Sequence, residues 1–114
     1  MTTSVAPLAL ARLVARVAGA CDGVEAVAPA LPGVAATHGP GGRVPGVVVH
    51  PLAPGGPSVT VHVRVSLGRP LPAVADEIRR ATIEALAQAD PDRAPWTVDV
   101  HIADVVLAGP ASLS

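Results

Sequence analysis

Polar side chains on two strand-like runs are the strongest candidates for chemistry in this chain. His62 and Arg64 lie in the run SVTVHVRVSL, and Asp99 and His101 lie in TVDVHIADVVL. If the two strands are neighbours, His62, Asp99 and His101 approach one another and offer imidazole and carboxylate ligands to a metal ion. An open sheet face, however, carries polar residues for solvation alone. Because no metal-ligand spacing favours the site, we assign no metal ligands.

The segment SLGRPLPAV joins a strand to a helix, and a helix N-terminus can hold an anion. A phosphate loop presents several free backbone N–H groups, but Pro70 and Pro72 remove two of them here. Only Gly68 relaxes the turn. We interpret this junction as a corner of the scaffold. No Ser-His-Asp or Cys-His set stands out, so the sequence predicts no catalytic and no cofactor-binding residue, and no cofactor.

Two further motifs have simple structural explanations. Cys21, the only cysteine, continues an apolar helical stripe and has no basic neighbour, which indicates an inert core thiol. Residues 39–42 read Gly-Pro-Gly-Gly and satisfy the GxxG pattern of KH nucleic-acid-binding loops. In a KH domain that loop joins two helices, whereas here it precedes a strand. We interpret it as a mobile connection.

Composition restricts the class of protein. Eight arginines nearly balance nine acidic residues, so the net charge is −1 and no broad electrostatic footprint for nucleic acid is present. A lone cysteine favours a reducing cytoplasm. No run approaches the roughly 20 apolar residues of a membrane span. We therefore expect a soluble, cytoplasmic, single-domain protein with no direct membrane span and no nucleic-acid partner.

Apolar periodicity predicts an α+β fold with the order helix, strand, strand, helix, strand. Helical spacing covers Leu8–Ala20 and Leu71–Ala89, a short Val-rich run between prolines covers 47–50, and alternation covers 59–67 and 98–104. The first two strands form a hairpin, and the last strand could join either side of it. We predict a three-stranded sheet with two helices packed on one face.

The expected domain spans residues 1–114, with an ordered core of about 8–105. Residues 25–45 contain Pro29, Pro32, Pro40 and Pro45 and predict an irregular Pro/Gly-rich connection. Residues 108–114 predict a flexible tail. The apolar parity of the last strand switches after Asp104, which predicts an end or a bulge there.

The chain resembles the bacterial alkaline-shock, or Gls-type, envelope stress response family. The likeness extends from about Leu8 to Val105 and is best over VTVHVRVSLGRPLPAVADEIRRATIEALAQA and TVDVHIADV. The family shows a Val-rich strand, a short loop, and a helix that opens with an apolar residue and Pro before Val-Ala-acidic-acidic-Ile. The matching residues are Leu71, Pro72, Val74, Ala75, Asp76, Glu77 and Ile78, and the last strand matches through Val98, Val100 and Ile102.

The resemblance implies a non-enzymatic structural or interaction module of the envelope stress response. Such a protein would lie beneath the cell membrane through a membrane-anchored protein partner, and some members self-associate. It carries over no catalytic residues. Two other classes stay open: a small KH-like nucleic-acid-binding domain and a small metal- or ligand-binding module.

Overall fold

The computed structural model describes residues 5–27, 36–93 and 95–107. The α+β class predicted from the sequence is confirmed. Two α-helices and a short 3₁₀ helix at Pro91–Arg93 accompany six strands within these residues. The helices are α1 (Pro7–Gly19) and α2 (Leu71–Ala89). The strands are β1 (Val24–Val27), β2 (Ala36–Gly39), β3 (Gly42–Pro45), β4 (Val47–His50), β5 (Ser58–Ser66) and β6 (Thr97–Val106).

Strand β5 is the centre of the main sheet. β6 pairs with it in parallel along its whole length, whereas β4 and β1 pair with it antiparallel, at residues 58–61 and 63–65 respectively. A strand has only two edges, so β1 and β4 share the edge opposite β6. Four strands therefore form a sheet three strands wide, close to the predicted three-stranded sheet. The predicted hairpin is present as β4 and β5, and the last strand joins it on the β5 side.

The structure corrects the expectation of an irregular connection over residues 25–45. β1 begins before this range, and β2 and β3 form a separate two-stranded antiparallel sheet within it. The GxxG segment is the turn of that hairpin: Pro40 and Gly41 connect the strands, and Gly41 adopts a φ of 92° that favours glycine. Pro45 is tolerated because it ends β3. The predicted tail and Pro29 and Pro32 lie outside the described residues.

Both helices cover the same face of β5. Val59, Val61, Val63 and Val65 are fully buried there. The helical residues buried with them are Leu8, Leu10, Ala11, Val14 and Ala18 of α1 and Val74, Ile78, Thr82 and Leu86 of α2. A one-sided core of this kind explains why the other face of β5 can carry polar residues.

Three details differ from the sequence prediction. Leu67 was expected to continue the inward row, but it lies in the turn after β5 and is 49% exposed. Thr82 is fully buried, although the apolar residues predicted to face the core of the second helix (Leu71, Val74, Ala75, Ile78, Ala81, Ala85, Leu86 and Ala89) do not include it. The register shift in β6 falls at Ala103, one residue earlier than expected, because Ile102 pairs with Val63 and Asp104 with Arg64. β6 then continues to Val106.

A buried threonine joins the small β2–β3 sheet to the main sheet. The Thr37 hydroxyl donates a hydrogen bond to the Val47 carbonyl (2.7 Å) and accepts one from the Val49 N–H (3.1 Å). Both bonds reach β4, and Thr37 is only 7% exposed. A buried hydroxyl in this position satisfies two backbone groups that the small sheet would otherwise shield from water.

We predict that Thr37→Val lowers the free energy of unfolding by about 1–3 kcal/mol, because it leaves a buried backbone donor and acceptor without partners. Thr37→Ser is the matched control, since it keeps the hydroxyl and loses only a methyl group. Urea denaturation of the three proteins measures the difference. Equal stability of Thr37→Val and wild type would contradict the assigned role.

Candidate functional site

The polar face of the main sheet collects most of the chemistry-bearing side chains predicted from the sequence. Residues of even number on β5 point away from the helices. Each of them has a partner residue on β6, and we call each such cross-strand pair a row. Thr60 lies opposite Asp99, His62 opposite His101, and Arg64 opposite Asp104. The β6 side chains of these rows are exposed, and those of β5 are half-buried. We call this surface, defined by these six residues, the open face.

The two histidines form the middle row. Their ring centroids lie 5.0 Å apart, and the ring planes are tilted by 31°. Partial burial and, secondarily, the neighbouring His101 lower the pKa of His62 from its ordinary value of 6.5. Both effects penalise the imidazolium form. The open face therefore favours an uncharged imidazole at His62 near neutral pH.

Ionic and polar contacts flank the histidine row. Arg64 Nε lies 3.2 Å from the Asp104 carboxylate, and both side chains are partly exposed. Beyond it, the Ser66 hydroxyl donates a hydrogen bond to the Glu25 carboxylate of β1. An exposed ion pair contributes at most about 1 kcal/mol to stability. Its larger effect is to orient the Arg64 guanidinium toward Asp104.

The structure brings together some of the sequence candidates and not others. His62 and His101 are side by side, whereas Asp99 stands in the adjacent row opposite Thr60. Among residues 5–27, 36–93 and 95–107, no three His, Cys, Asp or Glu side chains cluster as metal ligands. Sequence reasoning missed Asp104 and Glu25. The Ala103 bulge places Asp104 opposite Arg64, and a one-residue change in register is hard to locate from periodicity.

The junction between β5 and α2 is held by side chains that close the corner. Arg69 donates to the Glu77 carboxylate (2.9 Å) and to the Asp22 carbonyl (3.2 Å). Its guanidinium is thereby directed at α2 and at the turn after α1. These contacts support the interpretation of the junction as scaffold.

Cys21 has the environment of a poor nucleophile. Burial first, and then the nearby carboxylates of Glu77 and Asp22, raise its pKa above 9.0. The thiol lies 3.5 Å from the Val17 carbonyl and donates to it. A raised pKa keeps the sulfur protonated at neutral pH, and the thiolate is the reactive form.

One shallow depression lies at the end of β4. It has a volume of about 360 Å³ and is lined by residues 49–54, including His50 and the exposed Leu52. All of its lining residues come from one short segment. It lacks the convergent polar groups from several elements that fix a small ligand.

Comparison with protein-family models, with curated proteins and with solved structures gives no match. Neither described helix combines the length and apolar character needed to cross a bilayer. Interpretation of the site therefore rests on the geometry of the open face and on the residues of the chain.

We predict that replacing His101 by Gln raises the pKa of His62 toward 6.5 but not fully to it, because desolvation persists when the neighbouring imidazole is removed. NMR titration of the imidazole resonances in the presence of a chelator measures this shift. Since the unfolded state binds the proton more readily, stability from His62 is complete above pH 6.5 and decreases as the pH falls through the folded pKa.

The matched control is His38→Gln, since His38 lies on β2 outside the open face. It should leave the His62 midpoint unchanged. A wild-type His62 midpoint at or above 6.5 would contradict the described environment.

Proposed function

We propose that this chain is a non-enzymatic interaction module of the envelope stress response that acts beneath the cell membrane through a protein partner. The proposal takes its biological setting from the resemblance to the alkaline-shock family. The surface we assign to it rests on one observation: the two described helices cover one face of the sheet, whereas the β6 side chains of the open face are exposed. Binding through protein contacts needs such a surface and no catalytic group.

The charge of this surface favours a protein partner over a nucleic acid. Glu25, Asp99 and Asp104 bring three carboxylates to the same side of the sheet, against the single guanidinium of Arg64. An excess of negative charge repels phosphate and attracts basic side chains. The partner that fits this surface presents lysine or arginine.

The outer edge of β6 extends the same surface. No strand among the described residues pairs with that edge, and β6 is ten residues long. Its backbone N–H and C=O groups can accept an additional strand, a common mode of peptide recognition. A partner strand with basic residues could thus bind both the edge and the acidic rows beside it. A second copy of this chain could pair with the same edge, and analytical ultracentrifugation of the purified protein would detect that self-association.

The KH-like alternative loses its main sequence signal. The Gly39–Gly42 segment is the turn of a β-hairpin and does not join two helices. Arg12 approaches this turn, with its guanidinium 3.5 Å from the Gly41 carbonyl, but one arginine makes no phosphate-binding patch. Retardation of RNA or DNA at low salt would nevertheless restore this function.

We predict that the native protein floats with host membranes together with a membrane-anchored partner, and that Asp99→Arg abolishes this association. The reversed charge repels the basic partner expected at the open face. Membrane flotation followed by mass spectrometry of the co-purified proteins measures the association.

Asp92→Arg makes the same change of charge at an exposed position of the 3₁₀ helix and serves as the control. It should float as wild type does. A wild-type protein that remains alone in the soluble fraction would exclude the envelope setting. Flotation of Asp99→Arg with an unchanged partner would exclude the open face as the interface.

A further inference from the structure

We propose that His62 and His101 form a two-histidine site for a borderline divalent transition metal, with Cu²⁺ bound most tightly and Ni²⁺ and Zn²⁺ more weakly. The proposal is independent of the function proposed above. It rests on the histidine row of the open face.

The two histidine rings lie close enough together to share one metal ion. His62 and His101 are direct partners in a parallel pair whose register is regular from Ser58 to Val63. Metal–nitrogen bonds of about 2.0–2.1 Å put an ion about 3.2 Å from each ring centre, so centroids 5.0 Å apart subtend an angle of about 100°. That angle lies between the values for square-planar cis and tetrahedral ligands. A shared ion requires one nitrogen of each ring to face the same point, and rotation about χ2, a broad torsion, lets the exposed His101 ring turn toward such a point.

The chemical character of the two donors favours one class of metal ion. Neutral imidazole is a ligand that Cu²⁺, Ni²⁺ and Zn²⁺ accept, whereas Mg²⁺ and Ca²⁺ prefer oxygen. Divalent affinities increase toward Cu²⁺ in the Irving–Williams order. Two protein ligands leave the remaining coordination positions to water.

The charges around the histidine row also favour a cation. Asp99 stands on the same face two residues before His101, and its carboxylate lowers the electrostatic cost of bringing in a cation. Arg64, a positive side chain in the adjacent row, has its Nε 3.2 Å from the Asp104 carboxylate. The ion pair thus offsets the positive charge beside the site. The exposure of Asp99 and His101 gives the metal direct access from solvent.

The test is Cu²⁺ titration of protein without an affinity tag, followed by calorimetry and by electron paramagnetic resonance. We expect one Cu²⁺ per chain with nitrogen hyperfine structure from two imidazoles. Outer-shell partners alone change metal affinity by about 10–100-fold, so loss of a ligand in His62→Asn or His101→Asn should weaken binding at least about tenfold. Cu²⁺ should also raise the Tm of wild type, because it binds the folded state.

His50→Asn is the matched control, since His50 is an exposed histidine on β4 and pairs with Ser58, away from the histidine row. It should bind Cu²⁺ as wild type does. The His101 side chain is exposed, so its replacement keeps the fold, which circular dichroism verifies. The proposal is overturned if wild type binds no Cu²⁺, or if His62→Asn and His101→Asn bind it with wild-type affinity.

Discussion

The alternation of buried and polar residues along β5 is the constraint on which the rest of the structure depends. Its four valines face the helices, and Thr60, His62 and Arg64 face the other way. A slip of one residue would exchange the two sets and push a guanidinium and an imidazole into an aliphatic core. Burying such groups without partners is costly, so the register of β5 is strongly determined. Backbone pairing with β5 then fixes which residues of the neighbouring strands face the core.

The parallel pairing of β5 and β6 follows from the helix between them. A parallel neighbour requires a long connection, and α2 supplies it while it covers the valine face. The apolar stripe of α2 and the inward residues of β6 meet the same core, and this aligns His101 with His62. The bulge at Ala103 then changes the side chain opposite Arg64 from an alanine to the Asp104 carboxylate. Bulges commonly re-aim side chains in this way.

The residues that carry the family resemblance are mostly packing residues. Val74 and Ile78 are fully buried, and Asp76 forms exposed contacts with Arg79 and Arg80 on its own helix. Such a pattern describes how α2 lies on the sheet. The six side chains of the open face are not among the residues that carry the resemblance.

The sequence alone was sufficient to predict the helices and strands that have long periodic patterns. Both helices, the β4–β5 hairpin and β6 are where apolar spacing predicts them, since burial of a continuous stripe dominates local preference. The four-residue strands of the 25–45 region were missed. Their Pro and Gly content predicts turns, and their stability comes from remote partners, such as β5 for β1 and β4 for Thr37.

The candidate site, like the fold, was predicted from the sequence only in part. The sequence by itself determined which residues could lie on the polar face, because alternation places His62, Arg64, Asp99 and His101 opposite the apolar side chains. Only the tertiary structure decided which of them meet. That choice depends on the order of the strands, on parallel register and on a one-residue bulge. The residues that pair between β5 and β6 are 39 or 40 positions apart in the chain. Local periodicity carries no information about such distant pairings.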